Sequence, residues 1–324
     1  MKFLRPISFA LTALALLAQA GSSYAEYPDR PIRLILPFPA GGAVDIIARI
    51  MAENMAKDLG KTIVIENKAG AGGIIATDAV AKSANDGYTL LVTTPNHTIN
   101  PALHAKLPYD TEKDLVPISI IAEVPEVLIS SPTAPFKTFQ EFVAYAKNNP
   151  GKLNYASAGV GTLPHVTMEL LLSRLGIKVT AVHYRGAAPA MTDMLSGVVQ
   201  LKLDTYATSH QQVEAGRLQM LGIATSKRSK LMPNVPTIAE QGLPGYEGIL
   251  WIGIMAPKGT PQGVIDKIAA ASAKAARDPA IVARLQRDGI NPIGGTPAAF
   301  AAQITRELPQ WRDLAKSAKI ELKK

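Results

Sequence analysis

The alternation of apolar and polar positions divides the chain into short strand-like runs and longer helical stripes. Ile32-Arg33-Leu34-Ile35-Leu36 reads as a strand. Residues 44–59 follow as a helix, with Ile47, Met51, Met55 and Leu59 at i+4 spacing and Ile46 and Ile50 widening the stripe. Residues 61–66 and 89–93 read as strands and 73–83 as the helix between them, completing a βαβαβ unit. After a proline-rich crossing, Val127-Leu128-Ile129, Leu153-Asn154-Tyr155, 179–182 and 199–203 read as strands, interleaved with helices over 139–148, 166–175 and 191–196. Strands over 219–224 and 250–255 flank the loop 233–248, and the tail 261–316 reads as mostly helical, with no strand of its own.

Strands alternating with helices predict an α/β architecture with parallel pairing. Each half can build one sheet, whereas the alanine-rich tail cannot build a third and is expected to cover the first. The chain would leave its first lobe near residue 126 and return near 249, giving lobes 26–126 plus 250–324 and 127–249. Two crossings make a hinge, and a cleft between hinged lobes is a ligand site.

Composition narrows the setting. Lys2 and Arg5 precede an apolar stretch over 7–17 and then Ser23-Tyr24-Ala25, the pattern of a secretory leader cleaved after Ala25. Later apolar runs are interrupted by proline, glycine or charge, so no bilayer-spanning segment is expected. Loss of 25 of the 324 residues leaves 299, and loss of Lys2 and Arg5 takes the formal charge from +8 to +6. Export and the lack of a Lys/Arg run argue against a nucleic-acid partner. Cysteine is absent, which removes disulfides, thiolate metal sites and a Cys nucleophile.

Three loops carry candidate chemistry. Pro37-Phe38-Pro39-Ala40-Gly41-Gly42-Ala43-Val44-Asp45 joins a strand to a helix start, where backbone amides and the helix dipole suit an anion. A plain turn with Asp45 as a first-turn acid stays open beside that reading. Ala156-Ser157-Ala158-Gly159-Val160-Gly161-Thr162-Leu163-Pro164-His165 is a second loop of this kind, with proline where a dinucleotide motif needs its third glycine. If the two face each other, they can grip a carboxylate from both sides. Tyr184-Arg185-Gly186-Ala187-Ala188-Pro189 is the third; Arg185 there either pairs with a carboxylate or is solvated. Thr94 and Asn96 end a strand at the carboxyl edge where open α/β sheets bind ligands. Asp204, also at a strand end, can act as a base or fix a water, a ligand amine or a loop.

Enzyme signatures are scarce: there is no G-x-S-x-G, and His97, His104, His165, His183 and His210 form neither H-E-x-x-H nor i,i+4 pairs. No catalytic residue, cofactor or metal is therefore expected. A periplasmic lyase or hydrolase on the same cleft, or a ligand sensor for a membrane signalling partner, are the alternatives to a transport receptor.

The first-loop motif with Asp45, Gly70-Ala71-Gly72-Gly73, Asp86-Gly87-Tyr88-Thr89-Leu90, Asn100-Pro101, Tyr155-Ala156-Ser157-Ala158-Gly159 with His165, Tyr184-Arg185-Gly186 and Glu240-Gln241-Gly242-Leu243-Pro244-Gly245-Tyr246 together resemble the tripartite tricarboxylate transporter receptors of the Bug (TctC-like) type. The matches run through the chain beyond the leader. The resemblance implies a type II periplasmic-binding-protein fold with Venus-flytrap closure, and the chain is expected to be a monomer. Its ligand would be a mono-, di- or tricarboxylate, aromatic acids included, delivered to a large and a small membrane permease subunit. It also implies that Phe38, Ala40, Gly41 and Asp45 hold one ligand end. Ser157, Gly159, Gly161, Thr162 and His165 would hold the other, with Thr94, Asn96, Ala188 and Asp204 around them. The chain departs from the pattern at Val44, where the family often has threonine, and at Arg185, where lysine is commoner.

Overall fold

The computed structural model describes residues 26–229 and 232–318; the predicted leader and its cleavage after Ala25 lie outside the described residues. Strand β1 (Ile32–Leu36) leads into α1 (Ala43–Leu59), followed by β2 (Ile63–Asn67), a short 3-10 turn at Ala71–Gly73, α2 (Ile74–Ala81) and β3 (Thr89–Thr93). β2, β1 and β3 pair in parallel, as the βαβαβ pattern requires. Period-two alternation sends Ile32, Leu34 and Leu36 to one face, against Ile47, Met51 and Met55 of α1, and Ile35 to the other.

The proline-rich crossing is not a loop. It contains α3 (Asn96–Leu103) and then β4, a 16-residue strand over Leu115–Ser130. Prolines cannot donate to a ladder, and here the irregularity appears as register shifts beside Pro117 and again between Ile120 and Ala122. The expected strand at Val127-Leu128-Ile129 is only the far end of β4.

Beyond it come α4 (Phe139–Asn148), β5 (Asn154–Ser157), α5 (Leu163–Leu175), β6 (Thr180–His183), α6 (Ala187–Ser196), β7 (Leu201–Thr205), α7 (Tyr206–Glu214) and β8 (Gln219–Ile223). Then β9 (Ile249–Pro257) returns to the first sheet, antiparallel to both β3 and β4. α8 (Gln262–Arg277), α9 (Pro279–Arg287), β10 (Asn291–Pro292) and α10 (Pro297–Ser317) complete the described chain. The tail thus does contain a strand: β10 pairs with Glu123 and Ala122 of β4.

The strand order is β2-β1-β3-β9-β4-β7-β5-β6, with β8 and β10 also on β4. β4 pairs with β9 up to Pro125 and with β7 from Glu126 onward, so one strand belongs to both halves. The tail helices cover the first half, Ile265 and Ile268 on one face and Phe300, Ile304 and Leu308 on the other. α10 reaches further than expected. Leu314 packs on the second core, and Trp311 joins Ile99, Leu103, Leu163, Val166 and Leu250 in a cluster bridging the two halves. The indole Nε1–H of Trp251 donates to Glu307 at 2.9 and 3.1 Å, anchoring α10 beneath the sheet.

Two stability predictions follow from this packing. A Cβ on Gly253 would lie 2.4 Å from Cζ of the buried Phe300 ring. Gly253→Ala is expected to cost about 1–3 kcal/mol, and an unchanged melting temperature would contradict it. His97 is buried, with Nε2 3.1 Å from the Thr111 carbonyl, and burial holds its pKa at about 4 against an ordinary 6.5. The unfolded chain therefore takes up this proton first as pH falls. Stability from neutral His97 is complete above pH 6.5 and is lost by about pH 4, roughly 3 kcal/mol in all. Urea unfolding of His97→Gln should lose less stability than the native chain between these pH values; parallel losses would refute this.

Candidate functional site

α1 starts where β1 ends. Gly41 takes φ +86°, a left-handed conformation open to glycine, and turns the chain so that Gly42 becomes the helix N-cap with no side chain capping it. The turn is held from behind by Asp45. Its carboxylate accepts from the Gly41 amide at 3.1 Å, from Arg49 at 2.8–3.0 Å and from Asn67 Nδ2 at 3.0 Å, while the same Asn67 amide donates to the Phe38 carbonyl. Burial pushes this carboxyl up, but the Arg49, Asn67 and Gly41 hydrogen bonds outweigh it and hold the pKa below its ordinary value. Asp45 thus shapes the loop, and the Gly41 amide is occupied by it.

The second loop is built the same way. Ser157 Oγ accepts from the Gly159 amide at 3.1 Å and lies 3.0 Å from His183 Nδ1. The Gly161 amide donates to His165 Nδ1 at 3.1 Å, so His165 accepts there, and burial, then the neighbouring His183, hold its pKa at about 4. Thr162 Oγ1 donates to the Gly159 carbonyl at 2.7 Å. Its backbone caps α5 without a side-chain bond to the helix.

The uncapped first turns of α1, α5, α6 and α7 meet at one cavity of about 200 Å³. Such turns carry amides with no partner in the helix and a partial positive charge. Of the residues expected to bind ligand, Phe38, Ala40, Asn96, Thr162, Ala188 and Asp204 line this cavity, and so does Arg185. Gly41, Asp45, Thr94, Ser157, Gly159, Gly161 and His165 are not part of its wall; they form the layer that holds the wall in place. Arg185 is exposed and makes no ion pair among the described residues, so its guanidinium is unspent.

Both halves touch across the cavity. Asn96 Nδ2, at the start of α3, donates 2.9 Å to the Gly161 carbonyl in the loop after β5. Gly186, at φ +116°, admits Pro39 so closely that a Cβ there would lie 3.3 Å from the ring. These two contacts tie the halves together across the cavity.

The sequence reading missed Glu126, Leu250, Thr205 and Thr208, which also line the cavity. Glu126 carried a signal: it is an acid in the apolar run Val124-Pro125-Glu126-Val127-Leu128-Ile129. Burial pushes its carboxyl up to about 7, against the lowering effect of the Thr167 hydrogen bond. Asp204 is buried and sits 2.5 Å from Lys202 Nζ. No cluster of three metal-ligating side chains occurs among the described residues.

Comparison with known proteins agrees with this architecture. The family described as tripartite tricarboxylate transporter family receptor matches residues 47–320. Protein BugT of Bordetella pertussis is 36% identical over 299 residues, covering 92% of each chain. The structure of Rhodopseudomonas palustris Rpa4515 with adipate superposes with a TM-score of 0.88 at 33% identity, covering 91% of this chain and 99% of that one. The periplasmic binding protein BugD gives 0.87 at 35% identity, covering 91% and 99%. The chain belongs to the tripartite tricarboxylate transporter family of receptors, with the two-lobed fold of a periplasmic solute-binding protein.

Proposed function

We propose that this chain, exported and cleaved after Ala25, captures a small carboxylate in the periplasm and delivers it to a large and a small membrane permease subunit. The observation that carries the reading is the meeting of uncapped helix starts from both halves at one cavity. A carboxylate entering there exchanges water for backbone amides already oriented, so little ordering remains to be done. The adipate on Rpa4515 supports an acid of this size class, since that protein shares the fold along nearly its whole length.

The lobes are assigned as 26–126 plus 250–324 and 127–249, turning about β4 at Glu126 and β9 at Ile249. Opening would break the Asn96–Gly161 bond and expose the cluster around Trp311 and Leu163. A ligand stabilises closure only by binding the closed form better. The chain acts as a monomer and releases its ligand unchanged. The Ser157–His183 contact is 3.0 Å, but Ser157 Oγ also bonds the Gly159 amide and carbonyl of its own loop and stands outside the cavity wall.

Titration calorimetry of ligand-stripped protein against mono-, di-, tri- and aromatic carboxylates is expected to give saturable heat, with a raised melting temperature, for at least one acid. Flat titrations and unmoved melting across the whole panel would end the receptor reading. Asn96→Ala is expected to weaken binding of that acid about fivefold, the worth of a single net hydrogen bond. It should also reduce the compaction that ligand produces in small-angle scattering; native affinity and native compaction together would sink the closure model.

A further inference from the structure

Three ionisable side chains are more than nine-tenths buried around the hinge: Glu126 at 0% exposure, Lys202 at 1% and Asp204 at 4%. Burying a charge is tolerated only when it is paired and hydrogen-bonded. Lys202 and Asp204 satisfy part of that demand with their 2.5 Å ion pair through Oδ1. Two oxygens remain. Asp204 Oδ2 and Glu126 Oε1 have no hydrogen-bond partner among the described residues, and both side chains line the cavity while Lys202 stands behind it. Asp204 immediately precedes Thr205, the N-cap of α7, yet none of the first-turn amides of that helix reaches Oδ2.

The protonation of Glu126 decides what its free oxygen offers. Thr167 Oγ1 lies 2.7 Å from Glu126 Oε2 and 2.7 Å from the Leu163 carbonyl, and a hydroxyl has one hydrogen to give. Both contacts are hydrogen bonds at once only when the carboxyl proton sits on Oε2 and is donated to Thr167, whose own hydrogen goes to Leu163. Oε1 is then the carbonyl oxygen of a neutral acid. When the proton leaves, Oε1 is half of a carboxylate. In both states it is an acceptor.

This wall therefore presents two buried acceptors, while Thr205 and Thr208 nearby bond each other through their hydroxyls at 2.8 Å. A second ligand carboxylate placed here would set oxygen against oxygen in a site shielded from water. An ammonium has hydrogens enough to donate to both oxygens, and a hydroxyl can donate to one of them. We propose that Glu126 and Asp204 are the specificity-determining pair of the cavity, and that the ligand is an amino- or hydroxy-carboxylate instead of a plain dicarboxylate. This rests on the carboxylate-receptor reading, with the ligand carboxylate at the first turns of α1, α5 and α6. Arg185 at the cavity lining adds positive charge for that end.

The test is calorimetry on ligand-stripped native protein with matched sets: butanoate, succinate, 4-hydroxybutanoate and 4-aminobutanoate, then hexanoate, adipate, 6-hydroxyhexanoate and 6-aminohexanoate. In at least one set the amino or hydroxy acid is expected to bind about tenfold tighter than the dicarboxylate and the plain acid. Glu126→Gln keeps an acceptor oxygen but removes the ionisable group, so it should weaken the amino acid more than the hydroxy acid. Dicarboxylates binding as tightly as both donor-bearing acids would overturn the proposal and leave the receptor reading standing. Binding of no acid in either set would overturn the proposal, and the receptor reading falls with it only if the wider mono-, di-, tri- and aromatic carboxylate panel is also flat. The native panel decides the matter even if the variant does not fold.

Discussion

A hydrogen-bonded strand cannot turn freely about its own ladder, and β4 is paired with β9 on one side of Pro125 and with β7 and β8 on the other. Everything else in the molecule is arranged around that constraint. Because the strand changes partners between Pro125 and Val127, it joins the two sheets at this point. β9 begins at the same level, at Ile249, and supplies the second connection. The cavity lies beside this junction, so relative motion of the halves changes its width directly. Glu126 occupies the point where the ladder changes hands, with its amide bonded to the Gly248 carbonyl at 2.9 Å.

The site has two layers with different duties. The wall is mostly backbone and small apolar side chains, which lets helix amides approach a ligand closely. Behind it, Asp45, Ser157 and His165 spend their polar atoms on the loops themselves, as does the hydroxyl of Thr162 within the wall. This division explains why residues conspicuous in the motifs stand off the cavity. Removing Asp45 would free Arg49 and Asn67 and release the Phe38 and Gly41 turn, so its effect on ligand would arrive through geometry.

Much of the α/β order was legible because buried stripes impose periodicity. α1 shows this in Ile47, Met51 and Met55, and β1 in its alternating faces. α3 and α7 were not legible. α3 carries Pro101 inside a largely polar sequence, and Ser209 is the buried residue of α7, so neither displays an apolar stripe. β4 was hidden by Pro117 and Pro125, which interrupt its apolar run; the register shifts beside Pro117 and between Ile120 and Ala122 are announced by no local pattern.

From the sequence by itself came the α/β class, the two-lobed plan, the glycine-bearing helix starts and the family, because each depends on short-range periodicity or on a contiguous motif. The tertiary structure alone decided which polar groups face the cavity. That choice depends on contacts between residues far apart in the chain: Asn67 on Phe38 and Asp45, Thr167 on Glu126, Asn96 on Gly161. Asp45 and Glu126 are both buried acids near a loop or hinge. Only the partners brought to them by folding make one a strut and leave the other with an oxygen to offer.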